Sequence, residues 1–324
     1  MTEREPKEII QALINEYKTY KKASFLIIPI LAIAAAATFF NRVLSLVLLA
    51  AAVIYQIFYL RKKQKNYLAS VTRENLLLTT AKKLHSDAPL PQSGGEITAA
   101  TIHEAELITL SDDKAKPYFA QGMSGTYKDV PISVCDATLP CFFKLKEKGK
   151  KRIHMNSGAW FHLTLPKKTD LDFRLLQKDS FPTPMRLAFF EAQPQLINLK
   201  VPDIRLNKDF ALYGKVGKAT LSGPFLDALK ELSDYTPGRI AISVRKNQMD
   251  VFLRGRFFAM PITVRTAPSE KLLTFDPMPE LDKIVHLASL LVNEKTGFYN
   301  LFWGAKVTVQ MRVLSAPTFF SIKK

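Results

Sequence analysis

Cysteine and histidine are scarce in this 324-residue chain, and their scarcity removes several chemistries at once. A secreted disulfide scaffold needs more than the two cysteines present, Cys135 and Cys141. Their separation also departs from the Cys-x2-Cys spacing of a zinc site. Apolar residues flank each one (Val134; Phe142 and Phe143), which reads as two small buried thiols in a reducing compartment. The five histidines, His85, His103, His154, His162 and His286, include no His-x3-His pair. His103-Glu104 lacks the second histidine of a zinc-protease helix. There is no Gly-x-Ser-x-Gly elbow and no Gly-x4-Gly-Lys phosphate loop. Gly122-Met-Ser-Gly125 reads as a turn, and Gly214-Lys-Val-Gly217, which has the form of some RNA clamps, reads as a plain loop. No catalytic residue, metal ligand or cofactor is assigned from the sequence.

Apolar runs and positive charge are plentiful instead. Hydrophobic residues make up 47% of the chain, but they crowd into residues 23–60. Two uncharged runs, 23–40 and 43–60, are separated only by Asn41-Arg42. At about eighteen residues each, they sit near the lower limit for a helix that crosses the hydrocarbon core. A backbone in lipid must satisfy its own hydrogen bonds, so both runs are expected as helices, with Pro29 kinking the first. Asn41-Arg42 has room only for a reversal, which makes a helical hairpin. Ala32 and Ala36 on one helix and Ala50 to Ala52 on the other would let the backbones approach.

The flanks set an expected orientation. Lys18, Lys21 and Lys22 precede the first run, Arg61, Lys62, Lys63 and Lys65 follow the second, and Arg42 alone occupies the tip. By the positive-inside rule both ends face the cytoplasm, whether the hairpin spans the bilayer or re-enters it. Residues 1–22 carry an amphipathic helix with Ile9, Ile10, Leu13, Ile14 and Tyr17 on one face. That face either packs on the rest of the protein or lies in the headgroup layer. A helical extension is expected over 61–86. A linker rich in proline and glycine follows at 87–95, and then a cytoplasmic domain over 96–324 that holds its own core.

Beyond 95 the apolar period shortens to that of strands. Strands are expected at 118–127, 131–137, 159–165, 171–177, 240–245 and 249–253, with turns at Lys128-Asp129 and Lys246-Asn247. Two helices interrupt them. One covers 225–232, with Ser222 as cap and Pro224 in its first turn, and the other covers 281–292. Strands outnumber helices without regular alternation, so the fold class is α+β.

The segment Val201-Pro-Asp-Ile-Arg-Leu-Asn-Lys-Asp-Phe-Ala-Leu-Tyr213 and the run Ala219-Thr-Leu-Ser-Gly-Pro-Phe225 into a Leu-rich helix carry a resemblance. Together with the 240–253 hairpin and the closing helix, they resemble the bacterial family of two-helix membrane proteins of the domain-of-unknown-function 3137 type. The match is best over the C-terminal half. Ser133-Val-Cys-Asp136 stands where that family tends to show an acidic Ser-Glu-Val motif. The resemblance implies two N-terminal transmembrane helices and a cytoplasmic α+β domain, and carries over no active site.

The net charge of +17 favours anionic partners. Its densest feature is Lys144, Lys146, Lys148, Lys150, Lys151 and Arg152, which reads either as a solvated hairpin loop or as a contact for anionic phospholipid headgroups. The expected function is a membrane-anchored interaction module at the cell membrane, binding a protein partner, the inner-leaflet surface, or both. One alternative is a membrane-bound enzyme acting on a lipid or polymer precursor through scattered groups such as His162 or Asp203. A tethered nucleic-acid binder is the less favoured second alternative.

Overall fold

The structure, a computed structural model, describes residues 6–86, 90, 92–108, 110, 116–144, 151–178, 180–181, 196–215, 221–258 and 267–293. It combines an N-terminal region of apolar helices with an antiparallel sheet domain, so the mixed helix-and-sheet class is observed.

Helix α1 (Pro6–Phe25) runs into α2 (Ile27–Ala37), interrupted at Leu26. The break lies just before Pro29, whose missing N–H removes the bond that would close that turn. Asn41 then starts α3 (Arg42–Ile54), its Oδ1 accepting from Val43 N at 2.9 Å and Leu44 N at 3.2 Å. Small residues do bring α2 and α3 together, but at Ala34, Ala37, Ser45 and Ala52. Ala32, Ala36, Ala50 and Ala51 are exposed, so the close face is rotated from the one expected. A π-helical turn (Tyr55–Leu60) joins α3 to α4 (Arg61–Leu76), and a second (Leu77–Ala81) continues it.

The amphipathic face of α1 packs on protein. Ile9, Leu13 and Tyr17 form a cluster with Tyr67 and Val71 of α4. The far end of that helix enters the main core through Leu76, Ala81 and Leu84. Asn75 Nδ2 donates to Phe275 O at 2.8 Å, and Thr126 N donates to Leu84 O at 2.8 Å. Within 87–95, Leu90 bridges to Gly122, and a side chain on Gly122 would collide with Gly94. The stretch read as a linker is therefore held against the sheet where it is described.

The strands are β1 (Tyr118–Tyr127), β2 (Val130–Lys144), β3 (Lys151–Thr164), β4 (Asp172–Gln177), β5 (Ile197–Leu199), β6 (Phe210–Gly214), β7 (Arg239–Arg245) and β8 (Gln248–Arg254). They form one antiparallel sheet in the order β1-β2-β3-β8-β7-β4-β6-β5. Lys128, Asp129 and Lys246 adopt positive φ at the two tight hairpin turns, as turns matched to strand twist require. Gly122 and Gly125 lie inside β1 and are no turn. A Cβ on Gly125 would meet Leu84 O at 2.0 Å, so glycine is what lets the helix end reach the strand.

Among the described residues the remaining helices are α5 (Ala99–Glu104), α6 (Ile204–Asp209), α7 (Gly223–Tyr235), α8 (Glu270–Thr274) and α9 (Leu281–Asn293). Helix α7 begins where expected, with Ser222 Oγ accepting from Phe225 N. Its buried stripe Phe225, Leu226, Leu229 and Leu232 joins Ile284, Leu287 and Leu291 of α9 on one face of the sheet. On that face Asp136 Oδ1 accepts from Phe258 N at 3.0 Å. The other face carries Cys135, Trp160, Leu176, Ala241 and Phe252 beneath the segment 97–108. Both cysteines are free and buried, and burial pushes the Cys141 thiol up to about 12.

Candidate functional site at the base of the helical hairpin

Helices Lys7–Ala37 and Arg42–Ala81 are each long and apolar enough to cross a membrane. The outward surface of these helices and of the turn between them is greasy. Phe39, Phe40, Val43, Leu46 and Phe58 are 88%, 91%, 69%, 66% and 71% exposed. Each such side chain left in water forgoes about 2 kcal/mol of burial, and a domain's whole net stability is only about 5–15 kcal/mol.

All seven flanking cations fall at the base of the α2–α3 hairpin, midway along this pair. Lys18, Lys21 and Lys22 lie on the last turns of α1, and Arg61, Lys62, Lys63 and Lys65 on the first turns of α4. The two helices are held side by side there. Tyr55 Oη donates to Ala23 O at 3.0 Å, and the Tyr17 and Tyr67 rings lie 5.7 Å apart. Lys21 sits 5.3 Å from the centre of the Tyr17 ring, and Lys63 5.7 Å from that of Tyr59. Arg42 begins α3 at the hairpin's opposite end.

Between α1 and α4, at the same level, lies a cavity of about 310 Å³. Asn15, Glu16, Thr19 and Tyr20 line it from α1, and Lys63, Asn66 and Tyr67 from α4. Tyr67 is almost wholly buried, and its hydroxyl has no hydrogen-bond partner among the described residues. Burial, then the charges of Tyr17 and Glu16, pushes its pKa up to about 12, so it is neutral at any ordinary pH. Its ring stacks on Tyr20, with centroids 6.5 Å apart. Sequence reasoning found Lys63 here but not Glu16 or Asn66, ordinary residues on exposed helix faces, nor Tyr67, which reads as part of the apolar stripe of α4.

The basic run lies elsewhere. Lys144 and Lys151 are register partners at the end of the β2–β3 hairpin, followed by Arg152 opposite Phe143. Lys146, Lys148 and Lys150 lie outside the described residues.

A second polar arrangement crosses the sheet. Ser124, Ser133, His162, Asp250, Ser243, Arg174, Tyr213 and Asn198 are successive cross-strand partners, one from each strand. Asp250 Oδ1 accepts from Trp160 Nε1 at 3.0 Å and bonds His162 Nδ1 at 2.8 Å. Burial works to lower the His162 pKa. The bond to Asp250 and the charges of Asp250, Glu96 and Glu104 outweigh it and raise the imidazole above its ordinary value. Arg174, fully buried, reaches Asp172 at 2.8 Å and also pairs with Glu106, which Arg245 holds at 2.9 Å. Ser133 donates to Glu96. These bonds tie the segment 96–108 onto the sheet, so the row acts as a fastening. Asp203 is the cap of α6, accepting from Arg205 N at 2.7 Å and Leu206 N at 3.4 Å.

No protein-family model matches this sequence, and no curated protein matches it either. Among solved structures, the crystal structure of the mycobacterial trehalose monomycolate transport factor A is similar at 10% identity, covering 69% of this chain and 94% of that one. The TM-score is 0.34, a likeness too slight to transfer a fold or an activity.

Proposed function

We propose that the chain is a membrane-anchored interaction module whose α2–α3 hairpin lies in the bilayer and whose sheet domain faces the cytoplasm. The observation that carries this reading is the exposed apolar surface of α2 and α3, which only hydrocarbon solvates without penalty. The asymmetry of charge supports the orientation: seven cations gather at the base and one stands at the tip. The sheet domain then binds a protein partner or the anionic inner-leaflet surface, with Lys144, Lys146, Lys148, Lys150, Lys151 and Arg152 as the lipid-contacting run.

Two measurements test the anchor. Alkaline carbonate should leave the full chain in the membrane pellet, and reporter fusions after Lys65 and at Lys324 should both read as cytoplasmic. Release by carbonate would refute insertion, and an extracytoplasmic reading at either fusion would refute the topology.

A further inference from the structure

We propose that the cavity between α1 and α4 is a binding site for the headgroup of a phospholipid bearing a primary amine, an inference that rests on the membrane-anchored reading. Depth is the first argument. Lys63 lies three residues beyond Leu60, the end of the second apolar run, and Glu16 lies seven residues before Ala23, the start of the first. At the helical rise these offsets place Lys63 about 5 Å and Glu16 about 10 Å below the hydrocarbon edge. The headgroup layer on one side of a bilayer is about 5–8 Å thick, so the cavity spans it and opens just beyond.

The order of charge is the second argument. In a zwitterionic phospholipid the phosphate adjoins the acyl chains and the ammonium projects toward water. Lys63, the cation, is the shallower group, and Glu16, the anion, is the deeper one. Neither has an ion-pair partner among the described residues, so the pair presents the complement of that dipole in the right sense. Asn66, one turn along α4 from Lys63, adds amide N–H donors for phosphate oxygens and, at about the depth of Glu16, an amide carbonyl for the ammonium. Asn15, beside Glu16, adds an acceptor for the N–H groups of a primary ammonium, which a trimethylammonium lacks, and Thr19 adds a hydroxyl at about the depth of Lys63. Tyr20 and Tyr67 close the wall with ring surface, which attracts a cation. A glycerol headgroup would satisfy Lys63 and leave the Glu16 carboxylate facing only hydroxyls.

The experiment uses the full chain in nanodiscs holding equal parts of phosphatidylethanolamine, phosphatidylcholine and phosphatidylglycerol. Native mass spectrometry then counts the lipids retained. One phosphatidylethanolamine per chain should be kept, at least fivefold over either competitor. Glu16→Gln, at an exposed position, should abolish the preference over phosphatidylcholine, and Lys63→Gln should weaken retention of all three lipids. The swap Glu16→Lys with Lys63→Glu preserves net charge and reverses the dipole, and it should lose the selectivity while circular dichroism stays unchanged. Equal retention of the three lipids, a preference for phosphatidylglycerol, or full selectivity in Glu16→Gln would overturn the headgroup site and leave the anchor standing. A chain that fails to enter nanodiscs would overturn both.

Discussion

Replacing Asp136 by asparagine should stabilise the protein at neutral pH, and by an amount that depends on pH. Asp136 sits on β2 under the start of the segment after β8, where its Oδ1 accepts from Phe258 N at 3.0 Å. Burial raises its pKa from 3.8 to about 7, against the opposing pull of the Phe258 N–H and the Arg256 charge. Between about pH 4 and 7 the folded chain therefore keeps a proton that the unfolded chain gives up. With fewer protons bound in the unfolded state, stability falls as pH rises through that window and levels off above it. The shift corresponds to at most about 4 kcal/mol. Part of the residue still reaches solvent, which brings the expected cost nearer 2 kcal/mol at pH 8. Asparagine keeps the acceptor for Phe258 N and carries no charge. Chemical denaturation of the detergent-solubilised chain at pH 4, 6 and 8 should show Asp136→Asn gaining over the parent as pH rises. A gap that is constant across pH, or one that shrinks, would refute the argument.

Three further outcomes are expected. A fragment starting at Lys65 should unfold cooperatively on heating. One starting at Gln92 should aggregate, because losing buried Leu76, Ala81 and Leu84 removes about 5 kcal/mol of apolar burial; equal melting of the two would show that the helix is dispensable. Arg174→Ala should cost about 3–5 kcal/mol in denaturation midpoints by leaving Glu106 and Asp172 without their buried partner, and a loss under 1 kcal/mol would mean the row is not a fastening. In flotation of the Lys65 fragment on anionic vesicles, changing Lys148, Lys150, Lys151 and Arg152 to Ser should lower recovery, and added salt should do the same to the parent; equal recovery of the two proteins would dismiss the basic run.

What the sequence discloses is mostly local. Ser222, Pro224 and the leucine stripe announce α7 because cap, first turn and period all lie within a few residues of one another. Lys128-Asp129 and Lys246-Asn247 announce hairpins for the same reason. The pairing of β3 with β8, by contrast, joins Trp160 to Phe252 across a long stretch of chain that no periodicity encodes. Gly122 and Gly125 suggest a turn because glycine usually marks one. Here they make room for Gly94 and Leu84, partners that only the fold supplies. The polar row is hidden for a related reason: Ser124, His162 and Arg174 are unremarkable singly and meaningful only in register. Of the basal site, the lysines were visible as a charge pattern. Glu16 and Tyr67 were not, since their meeting depends on α1 folding back along α4.

The helix from Arg42 to Ala81 is unbroken through forty residues. It is thus a single strut about 60 Å long, with one half in the apolar hairpin and its far end held to the sheet domain by Asn75 on Phe275 O and, just past the helix, by Leu84 against Gly125. A strut has no elbow. Tilting it by about 10° would swing its far end by about 10 Å, and the sheet seated there would travel with it. On the anchored reading proposed above, bilayer thickness, which sets the tilt of such a helix, becomes a mechanical input to the attitude of the domain.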